Sequence, residues 1–362
     1  MRDVGVGLVG AGFVANLHAE AFALVPDAHV RGVAAATELS ARTFAERHGI
    51  PNFCAEYRSL LEDEDIHVVS IALPTYLHRE VAVAAASAGK HVICEKPLAR
   101  TLAEADEMIA ACRDAQVLLM YAEELCFAPK YVRAKELSDE GAFGRVFRVQ
   151  QGEQHFGPHS DWFWDVERAG GGVLMDMGCH GIEFARWIYD KPPVESVTAE
   201  IGTFVHGQRT RGEDHAIAAV RFQGNRLGLI ETSWAKRGGM DDRAEILGSE
   251  GITYVDLLRG SALVAYSENG YGYAVEKAPD TRGWGFPMFE ELWNYGFPQE
   301  MRHFIECVQH SGEPLETGED GRAVLEILYA MYRAAGSAGR VELPLELSDE
   351  EARGNPIDGW WS

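Results

Sequence analysis

Paired cysteines, long apolar runs and an excess of positive charge are all missing from this sequence. Its six cysteines are scattered and form no Cys-x-x-Cys pair, which argues against a zinc knuckle or a disulfide scaffold. No stretch is long and apolar enough to predict a membrane-spanning helix. Lys and Arg number 33 against 56 Asp and Glu, a formal net charge of -23, so neither nucleic acid nor an anionic membrane surface is an expected partner.

The start of the chain and its composition indicate a compartment and a domain count. The first four residues lead almost at once into an apolar strand and lack the layout of a signal peptide, so we expect a cytoplasmic enzyme. With 362 residues, 46% of them hydrophobic, the chain is long enough to form two domains with buried cores.

A glycine-rich turn follows the first apolar run. Gly10, Gly12 and Ala15 fit the Gly-x-Gly-x-x-Gly/Ala fingerprint, with Phe13 and Val14 between them. The first glycine permits a tight turn, the second lets a pyrophosphate approach the backbone, and the small third residue lets the helix pack on the strand. Because predicted strands and helices alternate after this turn, we expect a dinucleotide site rather than a chance glycine turn.

The residues after the second predicted strand bear on the choice of cofactor. An acidic residue is expected there to hold the adenosine ribose hydroxyls, but Ala35 and Thr37 occupy this region and Glu38 lies a little late. No arginine directly follows the strand to pair with a phosphate. We therefore expect NAD as the cofactor and leave NADP open.

A proline turn ends the next predicted strand and opens another helix. Such a turn can lie along the nicotinamide half of a dinucleotide, so its residues are assigned to the cofactor side: Pro74, Thr75, Leu77 and His78. A histidine in the first turn of a helix is at least as often structural, and that alternative stays open for His78.

A short apolar strand over residues 92–94 runs straight into Glu95, Lys96 and Pro97. Proline ends strand pairing, so Lys96 is delivered to the carboxyl edge of the predicted sheet, where open α/β sheets bind ligands. Lys96 is therefore a candidate for catalysis. The alternative is an exposed lysine beside a glutamate.

From about residue 122 the pattern changes to alternating apolar and polar residues. Period-two runs fall at 146–151, 197–205, 215–222, 227–234, 242–248 and 252–256. They predict a mainly antiparallel sheet, completed by two amphipathic helices near the C-terminus. We expect the domain boundary near Tyr121 or Ala122, which gives domains of residues 1–121 and 122–362.

Three glycines at 170–172 begin a second stretch that contains candidate catalytic residues. A helix is predicted to follow, on which Asp176, His180 and Glu183 share one face. An aspartate one turn before a histidine can orient the imidazole, as a general base near neutral pH requires. The structural alternative is an Asp–His pair on a helix surface.

Aromatic residues cluster between these motifs. Trp162 and Trp164 follow His155 closely and come directly after Asp161 in a short segment. Aromatic planes beside polar groups suit a carbohydrate, whose C–H faces stack on rings while its hydroxyls need fixed partners. A buried aromatic cluster accounts for the same residues equally well.

A metal site is not predicted. Glu153, His155, Asp176 and His180 include the right ligand types, but nothing in their spacing demands a metal ion.

Taken together, these motifs resemble the glucose-fructose oxidoreductase / inositol dehydrogenase / MocA (Gfo/Idh/MocA) family. The resemblance rests on the glycine turn with His18, on Ala88-Gly89-Lys90-His91-Val92 leading into Glu95-Lys96-Pro97, and on the glycines 170–172 followed by Asp176 and His180. It spans nearly the whole chain in the family's order and spacing. The fold that it implies is a Rossmann domain with a doubly wound parallel sheet, followed by a C-terminal α+β domain with a large open sheet.

The resemblance also implies an activity and a set of roles. It implies NAD(P)-dependent hydride transfer to or from a sugar, glycoside or cyclitol carbinol, in a homo-oligomer, a dimer or tetramer, built through the C-terminal sheet. By position, Lys96 would hydrogen-bond the reacting hydroxyl and join a proton relay. His180 would be the base in oxidation and the acid in reduction, and Asp176 would orient the substrate and the histidine.

The sequence departs from the family pattern after the sixth predicted strand. Glu124, Leu125 and Cys126 replace the usual Asn-Arg, which alters a polar contact near the nicotinamide and places Glu124 among the cofactor and substrate residues. Two other functions stay open. One is an NAD-dependent glycosidase that transiently oxidises a ring carbon without net NADH, and the other is a non-catalytic dinucleotide-binding regulator.

Overall fold

The protein is described by a computed structural model over residues 3–258, 265–269, 282–285 and 291–361. It forms two compact units. The first unit comprises Met1–Glu124 and Gly296–Leu325, and the second comprises Leu125–Tyr295 and Glu326–Ser362. The assignment of 1–121 and 122–362 as domains stays a proposal.

Strands and helices alternate in the N-terminal part of the first unit. The strands β1 to β6 are Val4–Val9, Ala28–Ala34, Asn52–Cys54, Val68–Ile71, His91–Glu95 and Leu119–Ala122. The helices α1 to α5 are Phe13–Phe22, Glu38–His48, Arg58–Leu61, His78–Ser87 and Leu102–Asp114, and a 3₁₀ turn lies at Thr75–Leu77.

The middle of the chain carries most of the second sheet. The strands in this part of the chain, β7 to β14, are Val146–Gln154, Val194–Gly202, His215–Phe222, Arg226–Ser233, Asp241–Gly248, Ile252–Asp256, Ala265–Ser267 and Gly283–Gly285. The helices α6 to α9 are Pro129–Asp139, Val166–Ala169, Cys179–Ile188 and Glu291–Asn294. Two 3₁₀ turns, Glu124–Phe127 and Asp161–Trp164, and a π-helix, Leu174–Gly178, complete this part.

The C-terminal part is mostly helical. It comprises α10 (Phe297–His310), α11 (Gly318–Ser337), the short strand β15 (Val341–Glu342), α12 (Asp349–Arg353) and α13 (Asp358–Trp361). Among the described residues, none of the helices combines the length and the apolar character that crossing a bilayer demands.

The first sheet is parallel throughout, with the strand order β3-β2-β1-β4-β5-β6. All six residues of β1 are buried, as expected for a central strand that helices cover on both faces. Leu8 on β1, Ala15 on α1 and Val33 on β2 lie in one apolar cluster with Phe44 of α2. The predicted doubly wound Rossmann sheet is confirmed.

Two helix caps show how local sequence sets the boundaries in this unit. The Thr37 hydroxyl accepts a hydrogen bond from the Ser40 amide and starts α2, and Thr101 accepts one from the Glu104 amide and starts α5. The Glu104 carboxylate accepts a hydrogen bond from the amide of Arg100 at 3.1 Å, and the Arg100 guanidinium also pairs with it.

The second sheet has seven strands in the order β12-β11-β7-β10-β9-β8-β15. Only β7 and β10 pair in parallel, and the other neighbours are antiparallel. The prediction of a large, mainly antiparallel sheet is confirmed. Alternation sets its faces, since Ala216, Ala218 and Val220 are buried while Ile217 between them is 50% exposed.

Helix α8 packs on the buried face of this sheet, against β7 and β10. The contact is close at Gly181, where an added Cβ would lie 2.7 Å from Gln151 Oε1 and 2.9 Å from Ile230 Cγ2. Glycine therefore lets the helix backbone approach the sheet closely, and this sets the distance between the sheet and the helix that carries His180.

Candidate active site

The glycine turn between β1 and α1 has the geometry of an anion-binding helix start. Gly10 has φ +129°, and an added Cβ would lie 2.1 Å from the Ala72 carbonyl oxygen, so the turn excludes a side chain there. Gly12 is the N-cap of α1 and makes no side-chain capping bond, and a Cβ there would meet nothing within 4 Å. The first backbone amides of α1 therefore have no side-chain cap from the N-cap residue, and the space beside Gly12 is open.

A dinucleotide fits this turn. Open space above Gly12, uncapped amides and the positive end of the α1 dipole are what a pyrophosphate requires. Phe13 is exposed beside the turn, Val14 is half-buried, and Ala15 is fully buried where α1 meets β1. The geometry of the residues present is therefore compatible with NAD at the carboxyl edge of the sheet.

The residues predicted to contact the ribose and the nicotinamide differ in burial and in hydrogen bonding. Ala35 is 8% exposed just after β2, and the Thr37 side chain is occupied in capping α2. Pro74 precedes the 3₁₀ turn, in which Thr75 is buried and Leu77 half-buried. Their contacts with a cofactor stay predictions.

His78 is buried, with an exposed fraction of 1%. Its Nε2 lies 2.8 Å from the Leu73 carbonyl oxygen, and its Nδ1 lies 3.1 Å from that of Pro97. Burial lowers the pKa of His78. The ring therefore ties the turn after β4 to the segment after β5, which supports the structural alternative for this residue.

Glu95, at the end of β5, is held by His18, a residue of the glycine-turn motif with no role assigned from the sequence. Its Oε1 lies 2.7 Å from His18 Nε2, and His18 Nδ1 lies 2.8 Å from Ser70 Oγ. Its Oε2 accepts a hydrogen bond from the Lys96 amide at 3.2 Å. This buried set links α1, β4 and β5, and it fixes the backbone from which the half-buried Lys96 side chain extends.

Four glutamates of the first unit act on the buried carboxyl group of a fifth, Glu300. Glu300, on α10, is 0% exposed, and neither of its carboxylate oxygens has a hydrogen-bond partner among the described residues. Burial raises the pKa of Glu300 well above its usual value, and the charges of Glu124, Glu95, Glu123 and Glu316 raise it further. Glu300 therefore keeps its proton at pH values where an exposed glutamate has lost it.

Replacing this carboxyl by an amide is expected to stabilise the protein increasingly as the pH rises from 5 to 8. Above the usual glutamate pKa of 4.5, the folded protein holds a proton that the unfolded chain releases, so the stability of the wild type falls as pH rises toward the folded pKa. Glu300→Gln removes this slope. The difference in unfolding free energy between variant and wild type should grow by about 1 kcal/mol per pH unit, as measured by denaturant unfolding between pH 5 and 8.

The control for this prediction lies in the same unit. Glu64 is exposed, so Glu64→Gln should shift stability equally at all these pH values. Parallel curves for Glu300→Gln and the wild type would show that Glu300 titrates normally.

In the second unit, the predicted helix after the glycines begins as a π-helix. Leu174–Gly178 is π-helical and continues directly into α8, so the simple α-helical spacing assumed for Asp176 and His180 is wrong at this point. The wider turn changes the direction in which the Asp176 side chain leaves the backbone. Both side chains are buried, with exposed fractions of 3% and 2%.

Partners of these two side chains come from the sheet. Asp176 Oδ2 accepts a hydrogen bond from the indole Nε1–H of Trp234 at 2.9 Å. His180 Nε2 lies 3.7 Å from Glu153 Oε2, on β7. A carboxylate at this distance stabilises the imidazolium that forms when the ring takes a proton. The predicted orientation of His180 by Asp176 stays a prediction.

The aromatic segment adjoins this group. Trp162 stacks on Phe163 with ring centroids 3.7 Å apart, and Trp164 meets the edge of Trp234 at 5.4 Å. Because Trp234 also bonds Asp176, one contact separates the aromatic turn from the candidate catalytic carboxylate. Trp162 and Trp164 are half-buried, so they present part of their surfaces outward.

His155 is more enclosed than the tryptophans. It is 1% exposed, and its ring lies 5.1 Å from that of His159 in an edge arrangement. Its backbone amide bonds the Ser233 carbonyl oxygen at 2.9 Å, which continues the pairing of β7 and β10. Its contact with a substrate stays a prediction.

Two residues of this group had no assigned role in the sequence analysis. Trp234 ends the predicted period-two run 227–234 and directly follows β10, and a buried tryptophan in such a run indicates a core residue. Glu153 is in β7, and an acidic residue at an inward-facing position of a predicted strand could have indicated a functional role.

Comparisons with known proteins agree with this geometry. Residues 4–123 match the family model GFO_IDH_MocA, described as an oxidoreductase family with an NAD-binding Rossmann fold, and residues 131–254 match the GFO/IDH/MocA C-terminal domain. The chain is 31% identical to levoglucosan dehydrogenase of Pseudarthrobacter phenanthrenivorans, over 95% of this chain and 99% of that protein. It is 29% identical to myo-inositol 2-dehydrogenase of Thermotoga maritima, over 93% and 98%.

A solved structure gives the same picture. The crystal structure of GenD2 from gentamicin A biosynthesis, in complex with NAD, superposes with a TM-score of 0.90 at 32% identity and covers 95% of this chain and 97% of that chain. The chain therefore belongs to the GFO/IDH/MocA family of oxidoreductases, and its N-terminal region is an NAD-binding Rossmann fold.

Proposed function

We propose that the protein is an NAD-dependent dehydrogenase that oxidises or reduces one carbinol of a sugar, a glycoside or a cyclitol. The observation that carries the proposal is the buried group of the second unit, in which an imidazole faces a carboxylate and an aromatic turn lies one contact away. Relatives named for levoglucosan and myo-inositol support the substrate class.

Each proposed role follows from the chemistry of the side chain. When bound, the nicotinamide accepts the hydride that leaves the carbinol carbon. His180 takes the hydroxyl proton during oxidation and returns it during reduction, and Glu153 stabilises its charged form. Lys96 donates a hydrogen bond to the reacting oxygen and completes the relay.

Substrate binding is assigned to the surrounding residues. Trp162 and Trp164 offer planes for the C–H faces of a ring. Asp176, His155 and Glu124 supply polar partners for hydroxyl groups. For cofactor binding we propose the glycine turn with Gly10, Gly12, Phe13, Val14 and Ala15, and the residues Ala35, Thr37, Pro74, Thr75, Leu77, Glu95, Lys96 and Glu124. His78 would support this site by holding the turn through its contacts with backbone carbonyl oxygens.

A parallel screen tests this function. Free sugars, inositols and glycosides are incubated with NAD and with NADP, and both reduced coenzyme and released alcohol are measured. NADH that accumulates with a polyol or sugar supports the dehydrogenase. Aglycone released without net NADH would identify the glycosidase instead, and NAD binding without any turnover would identify a regulator.

We also propose that the protein is a homo-oligomer built through the open face of the seven-stranded sheet. The strand pairings place Tyr254 of β12 and Ile217 of β9 on the same face, opposite to the face that α8 covers. Tyr254 is 74% exposed and Ile217 50%. Exposed apolar residues on a broad sheet favour burial against a second copy.

A charge on this face is expected to dissociate the oligomer. Ile217→Asp should convert a dimer or tetramer to a smaller species, because the carboxylate would have to be buried without a partner. The measurement is the molar mass by light scattering after gel filtration. Leu39→Asp, at a 75% exposed position of α2, is the control. An unchanged mass for Ile217→Asp would exclude this face.

A further inference from the structure

The buried glutamate Glu213 lies just before β9 and has no part in the roles assigned above. It is 0% exposed. Its Oε1 accepts hydrogen bonds from the Leu174 amide at 2.9 Å and from the Tyr332 hydroxyl at 2.7 Å, and its Oε2 accepts one from the Gly172 amide at 3.2 Å. Its backbone oxygen also accepts a hydrogen bond from the Val173 amide at 3.0 Å.

These amides belong to the start of the helical segment that carries Asp176 and His180. The first amides of a helix have no partner within the helix, and they form its positive end. Glu213 takes up three consecutive ones, those of residues 172, 173 and 174. It therefore fixes both the position of the segment and the direction in which it begins.

The glycines at this place are explained by the same contact. An added Cβ at Gly172 would lie 2.1 Å from the Glu213 carbonyl oxygen and 2.7 Å from its carboxylate, and one at Gly171 would lie 2.2 Å from the Tyr332 hydroxyl. Two glycines of the motif are thus required because Glu213 and Tyr332 approach the backbone so closely.

We propose that Glu213 is a positioning residue for the reaction, whose carboxylate holds the first turn of the segment that presents Asp176 and His180. The proposal rests on the proposed function. Glu213 touches neither reacting group in this role, and it acts through the backbone of residues 172–174.

The surroundings of Glu213 make this anchor sensitive to pH. Burial raises the pKa of Glu213 to about 7, although the hydrogen bonds from Tyr332, Leu174 and Gly172 lower it. The charged residues next to it along the chain are directed elsewhere. Arg211 pairs with Glu167, and Asp214 accepts hydrogen bonds from the amides of residues 204–206. Because a carboxylate is a better acceptor than a carboxylic acid, the anchor is firm above this pH and loosens below it.

The decisive variant is Tyr332→Phe, assayed as the NAD-bound enzyme with the sugar or cyclitol found in the screen. Loss of the hydroxyl removes a hydrogen bond that lowers the pKa of Glu213. The acid limb of the kcat profile should therefore move to higher pH by about one unit. A merely structural tyrosine would change stability without moving this limb.

Glu213→Gln tests the anchor directly. An amide can accept only at its oxygen, so its NH₂ group would face one of the backbone donors. We expect kcat to fall about tenfold or more above pH 7, where the wild type carries the carboxylate, and to approach the wild-type value at lower pH, while the Kd for NAD stays within about twofold. Glu350→Gln, an exposed site in the second unit, is the control for lost charge.

Two results would overturn the proposal. They are an acid limb that Tyr332→Phe leaves in place, and a Glu213→Gln enzyme whose kcat above pH 7 is within twofold of the wild type. If Glu213→Gln does not fold, the position of the acid limb of the kcat profile in Tyr332→Phe decides whether the proposal holds. If the wild type turns over no substrate, the proposed function fails separately. Hydrogen exchange at the Leu174 amide, which donates to the Glu213 carboxylate, then tests the anchor, which is contradicted if Tyr332→Phe leaves the pH dependence of this exchange unchanged.

Discussion

Lys96→Met is expected to lower kcat by about three orders of magnitude, the size of effect found when a positioned proton-transfer group is removed. Methionine has a similar length and shape but offers no donor to the reacting oxygen. NAD affinity should change little, because the pyrophosphate is held by the turn at Gly10 and Gly12. The rate is followed by NADH absorbance, and the Kd for NAD by calorimetric titration.

Lys90 provides a contrasting lysine in the same unit. It is 8% exposed, and its Nζ donates hydrogen bonds to the carbonyl oxygens of Asp63 and Ile66, both at 2.8 Å. Lys90→Met should lower Tm because these buried acceptors lose their partner, while the folded enzyme keeps its kcat. If Lys96→Met retained turnover, the catalytic role of Lys96 would be refuted.

His180→Gln is expected to reduce kcat by about 10²–10⁴-fold, since glutamine keeps much of the volume but cannot accept the hydroxyl proton. Removal of the base also makes the chemical step slower than product release. A substrate deuterated at the carbinol carbon should therefore show a larger isotope effect on kcat in the variant than in the wild type. Stopped-flow and steady-state measurements together check both expectations.

The matched control is His215→Gln. This ring is half-buried at the start of β9 and lies 5.9 Å from Phe204 in an edge arrangement. It has no assigned part in the reaction, so kcat should stay within about twofold. Equal losses in the two variants, or full activity of His180→Gln, would remove His180 from the mechanism.

Much of the fold follows from local pattern. Continuous apolar runs such as Val4–Val9 form the central parallel strands, and alternating runs such as His215–Phe222 form the mixed sheet with one buried face. Short elements escaped the sequence analysis. The three-residue strand Asn52–Cys54 and the four-residue helix Arg58–Leu61 contain too few residues for a period to be read.

The start of the His180 segment could not be predicted for a different reason. Its π-helical turn is fixed by partners far away in sequence, since Glu213 lies 41 residues from Gly172 and Tyr332 lies 160 residues from it. No local window contains this information. The same holds for the contact of Trp234 with Asp176, which spans 58 residues.

The complete burial of α8 bears on how this enzyme can acquire a new specificity. All ten of its residues are enclosed, and Gly181 leaves no room for even a methyl group against the sheet. Directed evolution that mutates this helix should mostly yield misfolded protein. Trp162 and Trp164 lie on a turn that is partly exposed to solvent. Mutant libraries for altered substrate choice should therefore vary these two positions.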